Sequence, residues 1–543
     1  MIHRFLCALS FAFWLATASS VPALGQKACE KLKQLQQPDM SIISAESVSA
    51  GSFTLPPGQA PVKSIDMPAF CRVRAEIKPT ADSHIKFEVW MPAAGWNGRF
   101  EQLGSGGLAG TINLFALGGD MKKGFATAGT DDGHEGAPTD ASWAIGHPEK
   151  VKDFGYRAVH ETSMRAKKII EAFYQKPPRY SYFNGCSEGG REALMEAQRF
   201  PEDFNGILAG SPGHYWTQLM AAFGWNAQAL SNTAGFISEP KRRAVQDAAV
   251  AACGKQDGVA DKFIKDPLHC SFDPSTLLCK ADSDNCLTAL QLEALKKIYA
   301  GPRNPRTGQQ ISSGYEPGAE AEPGLPGISF ASYVFGAGPG ISLDSMFSTA
   351  FYAGFVFENP AWRFTDLNFD KDIATTEEKV GSVLNASNPD LAAFRAHGGK
   401  MLHYHGWNDG SPPPRHSTDY YERVAAQMGG FQKTQEFYQL YMAPGVMHCG
   451  AGAGPDRFGN LLDFAPHNDA AHNIFVALER WVEEGVSPDK IIATKYHDND
   501  PTKGIEMARP LCPYPQQAKW TGDGATSDAG NWACKVPKNG SYQ

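Results

Sequence analysis

Apolar and polar positions alternate from Lys86 to Met91, and this two-residue period predicts a strand. A second strand leads through Arg99 and Phe100 into the glycine-rich run 104–110. From Phe154 to Tyr174 the period changes to that of a helix, with Val159, Met164, Ile169, Ile170 and Phe173 on the apolar side. Pro177-Pro178 stops it. Arg179 to Asn184 then predicts a short strand, and Arg191 to Arg199 a helix. The order recurs near the C-terminus. Strands are expected at Lys400 to Tyr404 and Glu436 to Met442, and an amphipathic helix at Asn473 to Glu484.

Between these halves the pattern breaks. Residues 215–394 hold cysteine-bounded loops, a Gly/Pro-rich stretch and a dense run of aromatics that includes Phe330, Tyr333, Phe347 and Trp362. We read them as a domain inserted into an α/β fold. Its aromatics either fill the insert's own core or cover a site as a lid. The expected organisation is a signal segment over 1–25, a first core part over 26–214, the inserted domain over 215–394 and a second core part over 395–543.

The signal reading rests on Arg4, the apolar run from Phe5 to Ala18, and Ala23-Leu24-Gly25 as cleavage site. The apolar run is too short for a membrane anchor. The expected location is the periplasm or the medium, with no membrane association after cleavage. Cleavage removes Cys7 and leaves ten of the eleven cysteines, an even number that suits disulfides in an exported chain. A formal charge of −8 and the lack of basic blocks argue against a nucleic-acid partner. Nothing in the sequence sets the oligomeric state.

Gly185-Cys186-Ser187-Glu188-Gly189 lies between an expected strand and an expected helix. That is the setting of a nucleophile elbow, where a sharp turn exposes the serine hydroxyl and glycines let strand and helix approach. The chain order serine, acid, histidine selects Asp409 and His448, both after expected strand ends. His403 and His405 are rivals with a structural reading. Cys186 precedes the candidate nucleophile and Cys449 follows the candidate base. A bridge between them would hold the two loops together. Oxyanion donors are expected from the Glu188 N–H and from the glycine loop at Gly107, with Gly106 as its rival.

These runs closely resemble the tannase and feruloyl esterase family. Further matches are His405-Gly406-Trp407-Asn408-Asp409, Val446-Met447-His448-Cys449 and Arg509-Pro510-Leu511-Cys512-Pro513-Tyr514-Pro515. The resemblance implies an α/β-hydrolase core, a large lid inserted between nucleophile and acid, and hydrolysis of small esters of aromatic acids of hydroxycinnamic or gallic type. It also implies the pairs Cys186–Cys449, Cys29–Cys71, Cys253–Cys270, Cys279–Cys286 and Cys512–Cys534. Glu188 is similar to the branch that hydrolyses a terephthalate monoester, whereas Pro412 replaces the Phe expected there. A structural calcium ion is implied in the insert, held by Asp257 and Asp261 side chains and by the carbonyls of Val259 and Phe263, with Gly254 standing where relatives carry Asp. Two other readings compete: the same triad on a different acyl group, such as an aliphatic ester, and a catalytically silent calcium-dependent binding module.

Overall fold

The computed structural model describes residues 23–56, 62–256, 258–322, 327–464 and 466–537, with backbone alone for 23–26. The expected signal segment up to residue 22 and the expected calcium ligand Asp257 lie outside the described residues. The proposed cleavage site, Ala23-Leu24-Gly25, falls in the helix Ala23–Lys31.

One nine-stranded sheet organises the core. In chain order its strands are β1 (Met40–Val48), β2 (Phe70–Ile77), β3 (Ile85–Pro92), β4 (Arg99–Leu103), β5 (Ala126–Thr130), β6 (Tyr180–Cys186), β7 (Gly206–Gly210), β8 (Lys400–Gly406) and β9 (Tyr438–Ala443). Their spatial order is β1-β2-β3-β5-β4-β6-β7-β8-β9. The first four in space pair antiparallel, and β5-β4-β6-β7-β8-β9 run parallel. Helices Ala158–Tyr174, Glu188–Arg199 and Arg415–Met428 pack residues into the main hydrophobic cluster with the sheet. Burial on both faces explains the near-continuous apolar strands at the centre.

The elements read from the sequence are present, with shifted ends. Helix Ala158–Tyr174 begins later than expected, behind a π-turn over Asp153–Arg157. Helix Glu188–Arg199 begins three positions earlier, because Gly189 and Gly190 are helical despite their poor propensity. Close approach explains them: a Cβ on Gly190 would stand 2.3 Å from the Gly210 carbonyl oxygen.

The long segment between β7 and β8 carries its own helices, including Trp216–Ala229, Glu239–Cys253, Ala289–Ala300 and Leu343–Phe351. Most of its aromatics fill a second hydrophobic cluster. Phe330, Phe335, Phe351 and Tyr352 are buried there together with Trp216 and Phe223. That cluster also takes in Leu108, Trp143 and Phe154 from the first part of the chain. All five expected disulfides are formed: 29–71, 186–449, 253–270, 279–286 and 512–534. Among the described residues, no helix is long and apolar enough to cross a membrane.

Candidate active site

The three candidate residues stand beyond the carboxyl ends of parallel strands β6, β8 and β9. Ser187 follows β6 directly and precedes the helix Glu188–Arg199. Its backbone is at φ 66°, ψ −118°, a conformation a non-glycine residue keeps only when its surroundings impose it. Packing imposes it here. A Cβ on Gly185 would lie 2.4 Å from the Gly189 carbonyl oxygen, so only glycine lets strand and helix meet at this turn.

Asp409 is buried, and its carboxylate accepts from His448 Nδ1 at 2.9 and 3.1 Å. The Ser411 N–H donates to the same carboxylate at 2.7 Å, and His405 Nε2 lies 3.2 Å away. Burial opposes the Asp409 charge, but the facing His448 and His405 imidazoles outweigh it and hold the carboxyl below the ordinary carboxylate range. An ionised Asp409 fixes the proton of His448 on Nδ1 and leaves Nε2 as the acceptor. Nε2 is buried and has no hydrogen-bond partner among the described residues. His403, by contrast, is tied to Tyr438 on β9 and to Ser417 on the helix Arg415–Met428. His405 binds Ser417 Oγ through Nδ1, so it supports Asp409 from behind.

The disulfide Cys186–Cys449 joins the residue before Ser187 to the residue after His448, with Cα atoms 5.9 Å apart. It brings β6 and the loop after β9 into register at this one place. The Tyr333 ring stands edge-on to the His448 imidazole, 5.5 Å between centroids.

The glycine loop 104–110 reaches the same turn. Gly107 has φ 62°, and among the described residues its N–H has no protein acceptor. The Glu188 side chain points away, into a fully buried pair with Arg191, whose Nε donates to both carboxylate oxygens at 2.9 and 2.8 Å. Arg191 also donates to the carbonyls of Gly155 and Phe154, which ties the elbow helix to the preceding helix. Glu188 therefore contributes its backbone at the turn, while its carboxylate serves packing.

Glu192 was not apparent as a site residue, although it ends the run Gly-Gly-Arg-Glu. It is buried, and its carboxylate accepts from Ser105 Oγ at 2.7 Å and from the Ser105 N–H at 3.0 Å. The Gly189 N–H donates to the Ser105 carbonyl at 3.0 Å. The glycine loop is thus clamped to the first turn of the elbow helix at two points. Burial first, then the Glu192 charge, pushes the neighbouring Asp132 well above the ordinary range. Glu192→Gln presents an N–H₂ group where the clamp needs an acceptor. We expect kcat to fall about 10²-fold with KM little changed, the size seen when one oxyanion donor is lost. Steady-state kinetics on one ester checks it, with the thermal midpoint as control.

The calcium reading meets a different donor set. The Asp261 side chain is 5% exposed, with Arg509 Nη2 3.5 Å and Lys265 Nζ 3.6 Å from its two oxygens. Two cations already supply the positive charge that calcium would bring, and Gly254 offers no side chain. A Cβ there would stand 2.6 Å from the Val250 carbonyl oxygen. Asp261 Oδ2 has no hydrogen-bond partner among the described residues, Asp257 lies outside them, and no catalytic step is drawn through the ion.

Sheet and strand-end site define the class first: an α/β enzyme whose polar residues gather beyond parallel strands. Residues 71–535 match the family described as tannase and feruloyl esterase. An uncharacterised esterase of Xanthomonas campestris is 41% identical over 100% of this chain and 96% of its own length. A probable feruloyl esterase B-2 of Aspergillus terreus is 31% identical, covering 86% of each chain. The crystal structure of feruloyl esterase B from Aspergillus oryzae superposes with a TM-score of 0.84 at 29% identity, over 94% of this chain and 100% of that one. Tannin acyl hydrolase from Aspergillus niger shares the fold, with a TM-score of 0.72 at 23% identity over 95% and 94%. The chain belongs to the tannase and feruloyl esterase family and is a carboxylic ester hydrolase.

Proposed function

We propose that this protein is an exported serine esterase that cleaves esters of aromatic acids through an acyl-Ser187 intermediate. The observation that carries the reading is His448. One ring nitrogen is engaged by Asp409, the other is buried and unpartnered among the described residues, and the next residue, Cys449, is bridged to Cys186 beside Ser187.

In this reading Ser187 Oγ attacks the ester carbonyl carbon and gives its proton to His448 Nε2. Asp409 stabilises the imidazolium that forms. The N–H groups of Gly107 and Glu188 receive the developing oxyanion. Collapse expels the alcohol, which takes the proton from His448. Water then loses a proton to the same nitrogen, attacks the acyl carbon and releases the acid with Ser187 restored.

The inserted segment acts as a lid over this site. Tyr333 and Phe347 are near-parallel, 12° between planes and 6.3 Å between centroids, and Phe223 lies 6.0 Å from Tyr333. The Phe347 ring comes within 3.4 Å of where a Cβ on Gly107 would stand. Rings facing both the histidine and the oxyanion loop favour a planar acyl group. Export agrees with the five disulfides.

A panel of methyl ferulate, chlorogenate, methyl gallate, a terephthalate monoester and a short aliphatic p-nitrophenyl ester tests the substrate class. The expected order places the hydroxycinnamic or gallic esters first in kcat/KM. Turnover of the aliphatic ester alone would remove the aromatic reading. A fluorophosphonate should label one residue, Ser187, and a folded protein that takes up no label would favour the silent binding module.

A further inference from the structure

We propose that a cavity on the C-terminal side of the molecule is a second ligand site, for a hydroxylated ring compound bearing a carboxylate. Its volume is about 740 Å³. That lies in the range of small-molecule sites. Its walls come from the segment after Gln256, the loop ends Trp407 and Pro444, and the C-terminal residues 509–537. None of Ser187, Asp409, His448, Tyr333 or Phe347 lines it.

Arg509 is the main observation. Its side chain is 8% exposed and lines the cavity. Nε has no hydrogen-bond partner among the described residues. Nη1 donates to the carbonyl of its own neighbour Ala508 at 3.2 Å, and Nη2 lies 3.5 Å from Asp261. The charge is paired with Asp261, so the Nε–H alone lacks an acceptor among the described residues, and a ligand oxygen would supply it. A carboxylate answers that geometry, because guanidinium binds it through paired N–H groups.

The remaining walls specify what the carboxylate is attached to. The Arg509 guanidinium lies over the Trp532 ring at 4.2 Å, and Lys265 Nζ approaches the same ring at 5.6 Å. Trp407 and Tyr514 add two further ring walls. Flat faces beside cations suit a ring with an attached anion. Asp266 also lines the cavity, and its buried Oδ1 has no partner among the described residues, while Oδ2 faces His269 at 2.7 Å. An unpartnered carboxylate oxygen excludes a purely anionic ligand and accepts a ligand hydroxyl. The amides of Gln516 and Gln517 add polar groups of both kinds. The walls are held in place. Gln517–Trp520 pairs with Trp532–Lys535, and Cys512–Cys534 cross-links the hairpin to the strand before it.

Two sources share this chemistry: an acidic saccharide and a hydroxylated aromatic acid of the kind the catalytic site would release. The site stands independently of the role of Ser187. The test uses the full-length protein with its catalytic serine blocked by a fluorophosphonate, and in parallel the Ser187→Ala protein, so that failure of labelling leaves the cavity test intact. Trigalacturonate and ferulate are titrated separately by calorimetry and tryptophan fluorescence, with reduced maltotriose and methyl ferulate as uncharged controls. We expect one of the two acids to bind the blocked protein at one site per chain, at least tenfold tighter than its control. Binding should weaken at least tenfold in Arg509→Gln and in Trp532→Leu. Hydrogen exchange should show protection confined to peptides covering 263–269, 507–520 and 532–535. Saturation by trigalacturonate identifies a saccharide site, and saturation by ferulate a product-acid site. Binding of neither acid, or binding untouched by Trp532→Leu in a protein with unchanged circular dichroism, overturns the proposal.

Discussion

Ser187→Ala is expected to lower kcat for ester hydrolysis by about 10⁶-fold, while the thermal midpoint stays within a degree or two. The fold should tolerate the change. Alanine meets the same backbone demand at φ 66° as serine, and the Ser187 N–H to Gly210 carbonyl bond of 3.0 Å is retained. The loss is chemical. Without Oγ there is no acyl-enzyme, and water would have to attack the ester directly with His448 as base. Residual rate of about 10³–10⁴ over water should survive from positioning and from oxyanion donors. That residue is informative, because its further loss in a Ser187→Ala, Glu192→Gln protein would assign it to the clamped glycine loop. Near-native hydrolysis by Ser187→Ala would sink the serine mechanism altogether.

Much of the site's order was legible because it is local. A strand, a glycine-flanked serine and a helix form one continuous stretch, and Asp409 and His448 each follow a strand of their own. Alternation revealed β3, and apolar runs revealed β8 and β9. Strands β5 and β7 escaped notice for a physical reason. Ala126–Thr130 and Gly206–Gly210 are buried on both faces, so neither shows alternation, and small residues with glycines look like turns. The Glu192 clamp was invisible for another reason. It acts on Ser105, 87 residues away, and only the sheet order brings β4 beside β6. The aromatic-rich insert was recognisable by composition, but composition could not separate core from site. Phe351, Tyr352 and Tyr333 all belong to the same buried cluster, and Tyr333 also stands against the His448 ring. Glu188 shows the converse limit. Its place in the motif was evident, but only packing reveals that its carboxylate turns inward to Arg191.

The second large effect should come from Cys186 and Cys449. Replacing both by serine is expected to cost about 2–5 kcal/mol of stability and to lower kcat more than tenfold. The bridge spans 263 residues, and a loop of that length gives an upper chain-entropy value of about 5–6 kcal/mol. Other contacts retain part of the geometry. The Cys449 N–H donates to Ser211 Oγ at 3.4 Å, and Asn460 Nδ2 donates to the Cys449 carbonyl at 3.0 Å. Cys449 nevertheless sits at φ 61°, so the loop that carries His448 loses a covalent restraint at a strained residue. Both sulfurs are buried, so reductant alone should inactivate slowly, and the double substitution is the cleaner experiment. Cys279–Cys286 is the control. It closes a span of 7 residues within the insert and adjoins neither Ser187 nor His448 in the chain. Its removal should lower stability by about 2 kcal/mol or less and leave kcat unchanged. Chemical denaturation and kcat measured on both variants separate the two roles. Equal kcat in the two proteins would reduce Cys186–Cys449 to a general staple; a fall confined to Cys186→Ser, Cys449→Ser would make it the element that sets Ser187 against His448.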